Sequence, residues 1–435
     1  MSRKFICLLL LGFFWINQEC IAQDKDNVRD VSGERIKVYH LSDLINEAIK
    51  SNPLIKYSED NYLSKKAIIL QEGSLPDPMI SIKSQSMGTP LPLITLGDSI
   101  MDMISIMAEQ EFPYPGKLKL KAEIAELNSL SAKAEIDRII LLTINKIKQE
   151  YFELLLINEK LNILEKEKQF LEELFQVVEI KYKVGSGTLE DLFRLRAEIS
   201  LIVIELTKFQ TEKEVHIANI NALLNRDPKS SLEILGSLKE FEFNVNYSEL
   251  VDLLQKNNPE LKSVNLIVES ASRGIELSKK GYYPDFSVNA GYGYIKGFDD
   301  MWSIGVNLKI PLFYKTKQRK NIEEMINKKK AEENMLDRTK QELLLFLRES
   351  YLKAKNAEQL IDLYSNELLP AAHAALEASL ANYSVGRTNF NTLIDNYVDN
   401  LNYELGYYEQ LSLLHKSIAD IEMLTAGKFL PENFS

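Results

Sequence analysis

The chain has 435 residues, of which 45% are hydrophobic and 26% charged, with 52 basic against 63 acidic side chains and a formal charge of −11. That composition describes a folded protein and excludes disorder as the main state. A chain this acidic is a poor general binder of nucleic acid, so no nucleic-acid partner is expected.

Arg3 and Lys4 precede an uncharged apolar run, Phe5 to Ile16, and Cys20-Ile21-Ala22 follows. The run is too short to span a bilayer as a helix. Residues 1–22 read as a secretory signal peptide cleaved after Ala22. Lipidation at Cys20 is the rival, and Asn17-Gln18-Glu19 before it is a poor lipobox. Cys7 and Cys20 both fall inside this segment. The mature chain then holds no thiol for a disulfide, a metal site or a nucleophile.

Beyond residue 22 the sequence is written twice, at a spacing of roughly 200 residues. Leu41-Ser42-Asp43-Leu44-Ile45 returns as Tyr247-Ser248-Glu249-Leu250-Val251, and Lys50-Ser51-Asn52-Pro53 as Lys256-Asn257-Asn258-Pro259. Leu75-Pro76-Asp77 returns as Tyr283-Pro284-Asp285, Phe112-Pro113 as Ile310-Pro311, and Tyr182-Lys183-Val184-Gly185 as Tyr383-Ser384-Val385-Gly386. Five blocks in one order indicate a tandem duplication, with repeats at 23–230 and 231–435. A change in offset between the two proline blocks places a variable loop at 88–100.

Each half reads as a helix, two short strands and a long helical hairpin. In the first half Ile80 and Ile82, then Ile104 and Ile106, alternate with polar or flexible residues, giving a β-hairpin over 78–112. From Gly116 to Tyr182 there is no proline, and Leu154, Ile157, Leu161, Leu164, Leu171, Leu174 and Val178 keep helical spacing. A rod of roughly 100 Å follows. Val184-Gly185-Ser186-Gly187 breaks it, and a second helix returns from Leu189 to about Leu224.

The second hairpin, over 285–311, is the clearer one. Phe286, Val288, Ala290, Tyr292 and Tyr294 alternate with Ser287, Asn289, Gly291 and Gly293; Trp302, Ile304, Val306, Leu308 and Ile310 alternate with Ser303, Gly305, Asn307 and Lys309. Runs of this length and alternation suit membrane-spanning strands, with Phe286, Val288, Tyr292, Tyr294, Trp302, Ile304, Val306 and Leu308 facing lipid. A second rod runs from about Lys315 to Tyr383, with Pro370 marking a kink or junction, and returns from Phe390 to about Leu424. Four strands cannot close a membrane barrel, and the apolar stripes of such rods need more helices than one chain supplies. Both shortages point to several chains sharing one barrel.

In order and duplication, with paired Tyr-x-Val-Gly tips and Leu368-Leu369-Pro370-Ala371-Ala372 ahead of the second tip, the chain resembles the TolC-like outer-membrane efflux proteins. Gln110-Glu111-Phe112-Pro113-Tyr114-Pro115-Gly116-Lys117-Leu118 is similar to the strand-to-helix passage of that family's heavy-metal branch, which serves copper/silver or cobalt/zinc/cadmium export. The resemblance implies a mainly α fold with a small β part. In it a homotrimeric α-helical barrel is capped by a shared twelve-stranded transmembrane β-barrel, in the outer membrane with a long periplasmic extension. It also implies a periplasmic adaptor and an inner-membrane pump of the resistance-nodulation-division type as partners. No catalysis and no cofactor are implied.

By position from the tip, the residues matching the family's acidic periplasmic gate are Thr392 and Asp395, of which only the second is acidic. Gly185, Leu189, Gly386 and Phe390 are the matching candidates for adaptor contact at the tips. A type I protein secretion channel and a structural coiled-coil surface protein are the alternatives. The scattered His40, His216, His373 and His415 suggest no metal or catalytic site. Met101, Met103 and Met107 are read as strand and core packing. Lys315, Lys317, Arg319 and Lys320 are read as solvated cations at the barrel base. Gly291-Tyr292-Gly293 with Gly297 is a false dinucleotide-loop match, because it sits within a strand.

Overall fold

The computed structural model describes residues 27–29, 35–85 and 102–428. The signal segment, Met101 and the loop expected at 88–100 lie outside these residues. Strands β1 (Asn27–Arg29) and β2 (Arg35–Tyr39) lead into helices α1 (Leu41–Ser51) and α2 (Pro53–Gly73), then β3 (Met79–Gln85) and β4 (Met103–Phe112). Helices α3 (Lys117–Lys183) and α4 (Leu189–Leu223) form the first long hairpin. After β5 (Glu233–Ile234) the order repeats as α5 (Tyr247–Asn257), α6 (Pro259–Lys280), β6 (Asp285–Ile295) and β7 (Met301–Lys309). The second hairpin is built from α7 (Gln318–Leu363), a π turn over Tyr364–Leu368, α8 (Leu369–Ser384) and α9 (Phe390–Leu424).

Where the sequence suggests one helix before each pair of strands, the chain forms two. The break falls at the same dipeptide in both halves. Asn52 accepts a hydrogen bond from the Leu54 N–H at 2.9 Å, and Asn258 accepts from Glu260 and Leu261 at 2.9 and 3.2 Å. Each asparagine thus caps a helix whose first residue is a proline, which needs no donor there. The free amide then donates to the last carbonyls of a returning helix, Asn52 to Leu223 at 2.9 Å and Asn258 to Leu424 at 3.0 Å. One side chain therefore satisfies the orphan groups of two helix ends.

Helix α3 is 67 residues long without a break. Its predicted stripe is buried at Leu154, Ile157, Leu164, Leu171, Leu174 and Val178, and Leu161 packs beside it. In the second rod Pro370 stands in the first turn of α8, directly after the π turn. The wider turn takes up the missing proline donor, so the junction forms within a continuous helical run. α4 and α9 are each 35 residues.

Two apolar cores hold the rods. One gathers Leu44, Ile147, Phe152, Phe243, Leu347, Leu411 and Ile418 from α1, α3, α7, α9 and the segment before α5. The other runs towards the tips through Leu164, Leu171, Leu195, Phe390, Leu393 and Tyr397. β2 lies between β1 and β5 in a small sheet. The larger sheet has the order β3-β4-β6-β7 and is antiparallel throughout, so both repeats contribute to one layer.

Candidate functional site

The register of the larger sheet sorts its side chains into two faces. Ile82 pairs with Ile106, Ile106 with Tyr292, and Tyr292 with Trp302; one step on, Ala108 pairs with Ala290 and Ala290 with Ile304. Because side chains alternate, one face carries Ile80, Ile82, Ile104, Ile106, Phe112, Phe286, Val288, Tyr292, Tyr294, Trp302, Ile304, Val306 and Leu308. Much of it stands open: Ile80 is 70% exposed, Trp302 80% and Ile304 86%. Ring pairs brace both ends, Phe112 stacking on Phe286 at 5.3 Å and Tyr292 meeting Trp302 edge-on at 5.1 Å. Apolar exposure of this extent on one sheet face marks contact with lipid or another protein.

The opposite face is polar. Glu109 accepts from Ser287, and Asn307 donates to Glu109 at 3.3 Å and to Ser287 at 3.2 Å, one network across three strands. Met103 and Met107 lie on this face rather than in a core. A Cβ at Gly293 would stand 2.5 Å from the Met103 sulfur, so the glycine leaves the space that the thioether fills.

Where sheet meets rods, the two repeats are tied together. Lys117 reaches Asp285 at 2.7 Å, the Tyr114 N–H donates to the same carboxylate at 2.6 Å, and the Tyr114 and Tyr283 rings stack at 4.4 Å. The Lys280 ammonium lies over both rings. The Pro-Tyr-Pro-Gly-Lys passage is thus a joint between β4, α3, α6 and β6.

At the far end each hairpin turns on a glycine. Gly185 has φ +77° and Gly386 has φ +75°, and each turn is closed by a bond back to the helix, Ser186 N–H to the Lys181 carbonyl and Arg387 N–H to the Asn382 carbonyl. Nothing lies within 4 Å of a Cβ at either glycine, so backbone angle alone demands it. Lys181 donates to the Tyr383 carbonyl at 2.5 Å, placing a cation at the negative end of α8. Arg194 spans the two hairpins, donating to Asn391 at 2.6 Å and to Asp395 at 2.8 Å. Thr392 is held by the capping residue Asn389, which accepts from both its N–H and its hydroxyl at 2.8 Å.

Of the tip residues picked from sequence, Gly185, Leu189 and Gly386 are exposed. Phe390 is not; it is buried beneath the Tyr383 ring at 5.8 Å and fills the tip instead of presenting a surface. Val184 and Val385 are the apolar side chains that stand out there, 72% and 66% exposed. The Tyr-x-Val-Gly motif contains both, and only their surroundings separate them from Phe390. Arg194 was also missed, although aligning the repeats at the tip glycines sets it opposite Asp395.

Deeper between the hairpins, Glu167 on α3 and Glu404 on α9 are half-buried. Burial first, then the Glu404 carboxylate, holds Glu167 above the usual carboxylate range. Burial also raises Glu404, with Lys166 and His373 opposing it. Among the described residues no group of three or more His, Cys, Asp or Glu side chains is placed to hold a metal ion. No helix among them is long and apolar enough to cross a membrane.

Residues 250–394 match the outer membrane efflux protein family model. The fold is that of the outer-membrane channels. The outer-membrane channel OprN superposes with a TM-score of 0.77 at 15% identity, over 89% of this chain and 90% of that one. The outer membrane protein VceC of Vibrio cholerae gives 0.76 at 16%, over 89% and 96%. CusC gives 0.75 at 14%, over 88% and 91%. A search by sequence among curated proteins gives no match.

Proposed function

We propose that this chain is the outer-membrane channel of a tripartite efflux system, passively conducting substrate from a periplasmic adaptor and an inner-membrane pump to the exterior. The observation that carries it is the open apolar face of the four-stranded sheet, set on rods 67 residues long. Among the described residues, neither edge strand, β3 or β7, has a neighbour on its outer side. Unpaired edges in a membrane are costly, so β7 of one copy pairs with β3 of the next. Three copies close a twelve-stranded barrel, and their rods form the tunnel below it.

The two halves act as repeats of one design, and the tips form both the gate and the adaptor contact. Asp395 is the anionic group of the gate and Thr392 its neighbour on the same helix. The lock that holds the gate narrow is Arg194, which ties the two hairpins of one chain together. Val184, Leu189 and Val385, around Gly185 and Gly386, offer the apolar surface for the adaptor. The pump is of the resistance-nodulation-division type, and heavy-metal cations are the favoured cargo. That preference rests on the Gln110–Leu118 passage, since the likeness to CusC is no greater than to OprN or VceC.

The deciding experiment is detergent extraction of outer membranes, mass determination and planar-bilayer conductance on the purified protein. A detergent-dependent trimer with cation-favouring channels is expected. A monomer that leaves the membrane without detergent and conducts nothing would overturn the reading.

A further inference from the structure

The apolar face of β7 does not end with the strand. Ile310, Leu312, Phe313 and Tyr314 continue it into the turn before α7, and all four are exposed, Phe313 to 77%. Immediately beyond stand Lys315, Lys317, Arg319 and Lys320, all exposed as well. Lys320 has a partner in Glu323 at 2.7 Å. Among the described residues, no carboxylate lies within ion-pair distance of Lys315, Lys317 or Arg319.

The first repeat provides an internal comparison. Its lysines at the same level are all answered: Lys117 by Asp285 at 2.7 Å, Lys119 by Glu123 at 3.8 Å and Lys121 by Glu72 at 3.2 Å. The second repeat leaves its cations open at the start of a 46-residue helix, with no acidic residue in the first turn and no side-chain cap. A helix N-terminus repels cations, so the local structure alone disfavours this arrangement. On the opposite rim the turn between β6 and β7 carries Lys296 with Phe298, Asp299 and Asp300, one cation against two carboxylates, where this rim sets four cations close together.

We propose that the passage from β7 into α7 is a binding surface for anionic glycerophospholipid of the leaflet facing the periplasm. The proposal rests on the channel reading above. Phe313 and Tyr314 seat at the acyl–headgroup boundary, and Lys315, Lys317 and Arg319 meet the phosphates just below it. The surface is continuous with the lipid-facing strands, so a lipid docked there needs no separate site. A neighbouring copy is the competing occupant, because the pairing of β7 with β3 brings that copy's exposed Asp77 close to these cations.

The test uses the full-length chain as a purified trimer, exposed to micelles doped equally with phosphatidylglycerol and phosphatidylcholine. Retained lipid is counted by native mass spectrometry. Wild type is expected to retain phosphatidylglycerol preferentially. The triple variant K315Q/K317Q/R319Q is expected to lose that preference by about fivefold or more, with trimer mass and conductance unchanged. Equal retention of both lipids by wild type, or undiminished preference in the variant, would overturn the proposal. Dissociation of the variant to monomers would also overturn it, by assigning the cations to the neighbouring copy. A wild-type chain that forms neither trimer nor channel removes the channel reading itself, a result distinct from a conducting trimer indifferent to headgroup charge.

Discussion

Arg194 and Asp395 are 201 residues apart, occupy the same position in their respective hairpins, and meet each other across the tips at 2.8 Å. The duplication has thus placed opposite charges at one equivalent site and joined them. Both side chains are substantially open to solvent, so the pair contributes little to stability, about 1 kcal/mol at most. Its importance lies in what it holds together.

Breaking that link should free the tips. Arg194→Ala is expected to raise single-channel conductance or open probability while unfolding stability changes by less than about 1 kcal/mol. Asp395→Ala should raise conductance as well and weaken block by multivalent cations. The double variant should exceed neither single by much, because both remove one contact. Bilayer recordings decide it: unchanged conductance and block in both singles would remove these residues from the gate.

The tip glycines are testable separately. Gly185→Ala and Gly386→Ala each put a Cβ into left-handed backbone and should cost about 1 kcal/mol apiece. With open space around both positions, the effect should stay local. Hydrogen exchange should rise at Lys181–Leu189 or Tyr383–Phe390 and remain unchanged in the two apolar cores.

Ile304 lies mid-strand on the apolar face of β7 and is 86% exposed. Replacing it with lysine should oppose membrane insertion by about 2–4 kcal/mol if lipid covers it. The measure is the fraction of chain recovered as trimer from outer membranes. Asn307→Lys, on the polar face, is the control and should insert normally.

His415 carries a pH dependence of stability. It lies buried between Phe152 and Phe241, with Nε2 2.9 Å from the Lys239 carbonyl oxygen. Burial lowers its pKa to about 4, against the backbone hydrogen bond that raises it. A depressed pKa means that the unfolded chain takes up the proton first. The contribution is therefore full above about pH 6.5 and is lost as pH falls towards 4, by at most about 3 kcal/mol. Denaturant unfolding at pH 7.5 and 5 should show a loss that is smaller in His415→Gln. Equal losses in the two proteins would refute the assignment.

The Asn-Pro caps join two elements each. Asn52→Ala and Asn258→Ala should each destabilise by about 1–2 kcal/mol, and Asn→Asp at either site should recover part of that through the N-cap. The remainder measures the bond from the amide to the Leu223 or Leu424 carbonyl, which a carboxylate cannot donate. Chemical denaturation of the four variants would separate the two contributions.

Much of this architecture can be read directly from residues. Alternation from Phe286 to Tyr294 gave β6 to within a residue at each end, and the Leu154–Val178 stripe named side chains that are buried. Such signals survive because each concerns neighbours along a single element. What escaped depends on contacts between distant elements. The Asn52-Pro53 pair is a local mark of a new helix start, an N-cap followed by a proline at the first helical position, but the bond from the Asn52 amide to the Leu223 carbonyl that fixes the break in place joins distant elements. Phe390 and Val385 are both apolar residues beside a tip, and only packing buries the first and exposes the second. The salt bridge of Arg194 with Asp395 becomes visible only when the repeats are laid over one another. The π turn at Tyr364–Leu368 has just Pro370 to announce it.

The oppositely charged equivalents at Arg194 and Asp395 have a consequence for recognition. Three chains would present six hairpin ends that look alike in backbone yet alternate between a basic and an acidic side chain around the ring. A protein meeting that ring finds hexagonal shape with trigonal charge. On the proposed trimer, the clefts within a chain would hold the joined Arg194–Asp395 pair and the clefts between chains would not, so a partner that fits both by form would meet two different electrostatic surfaces.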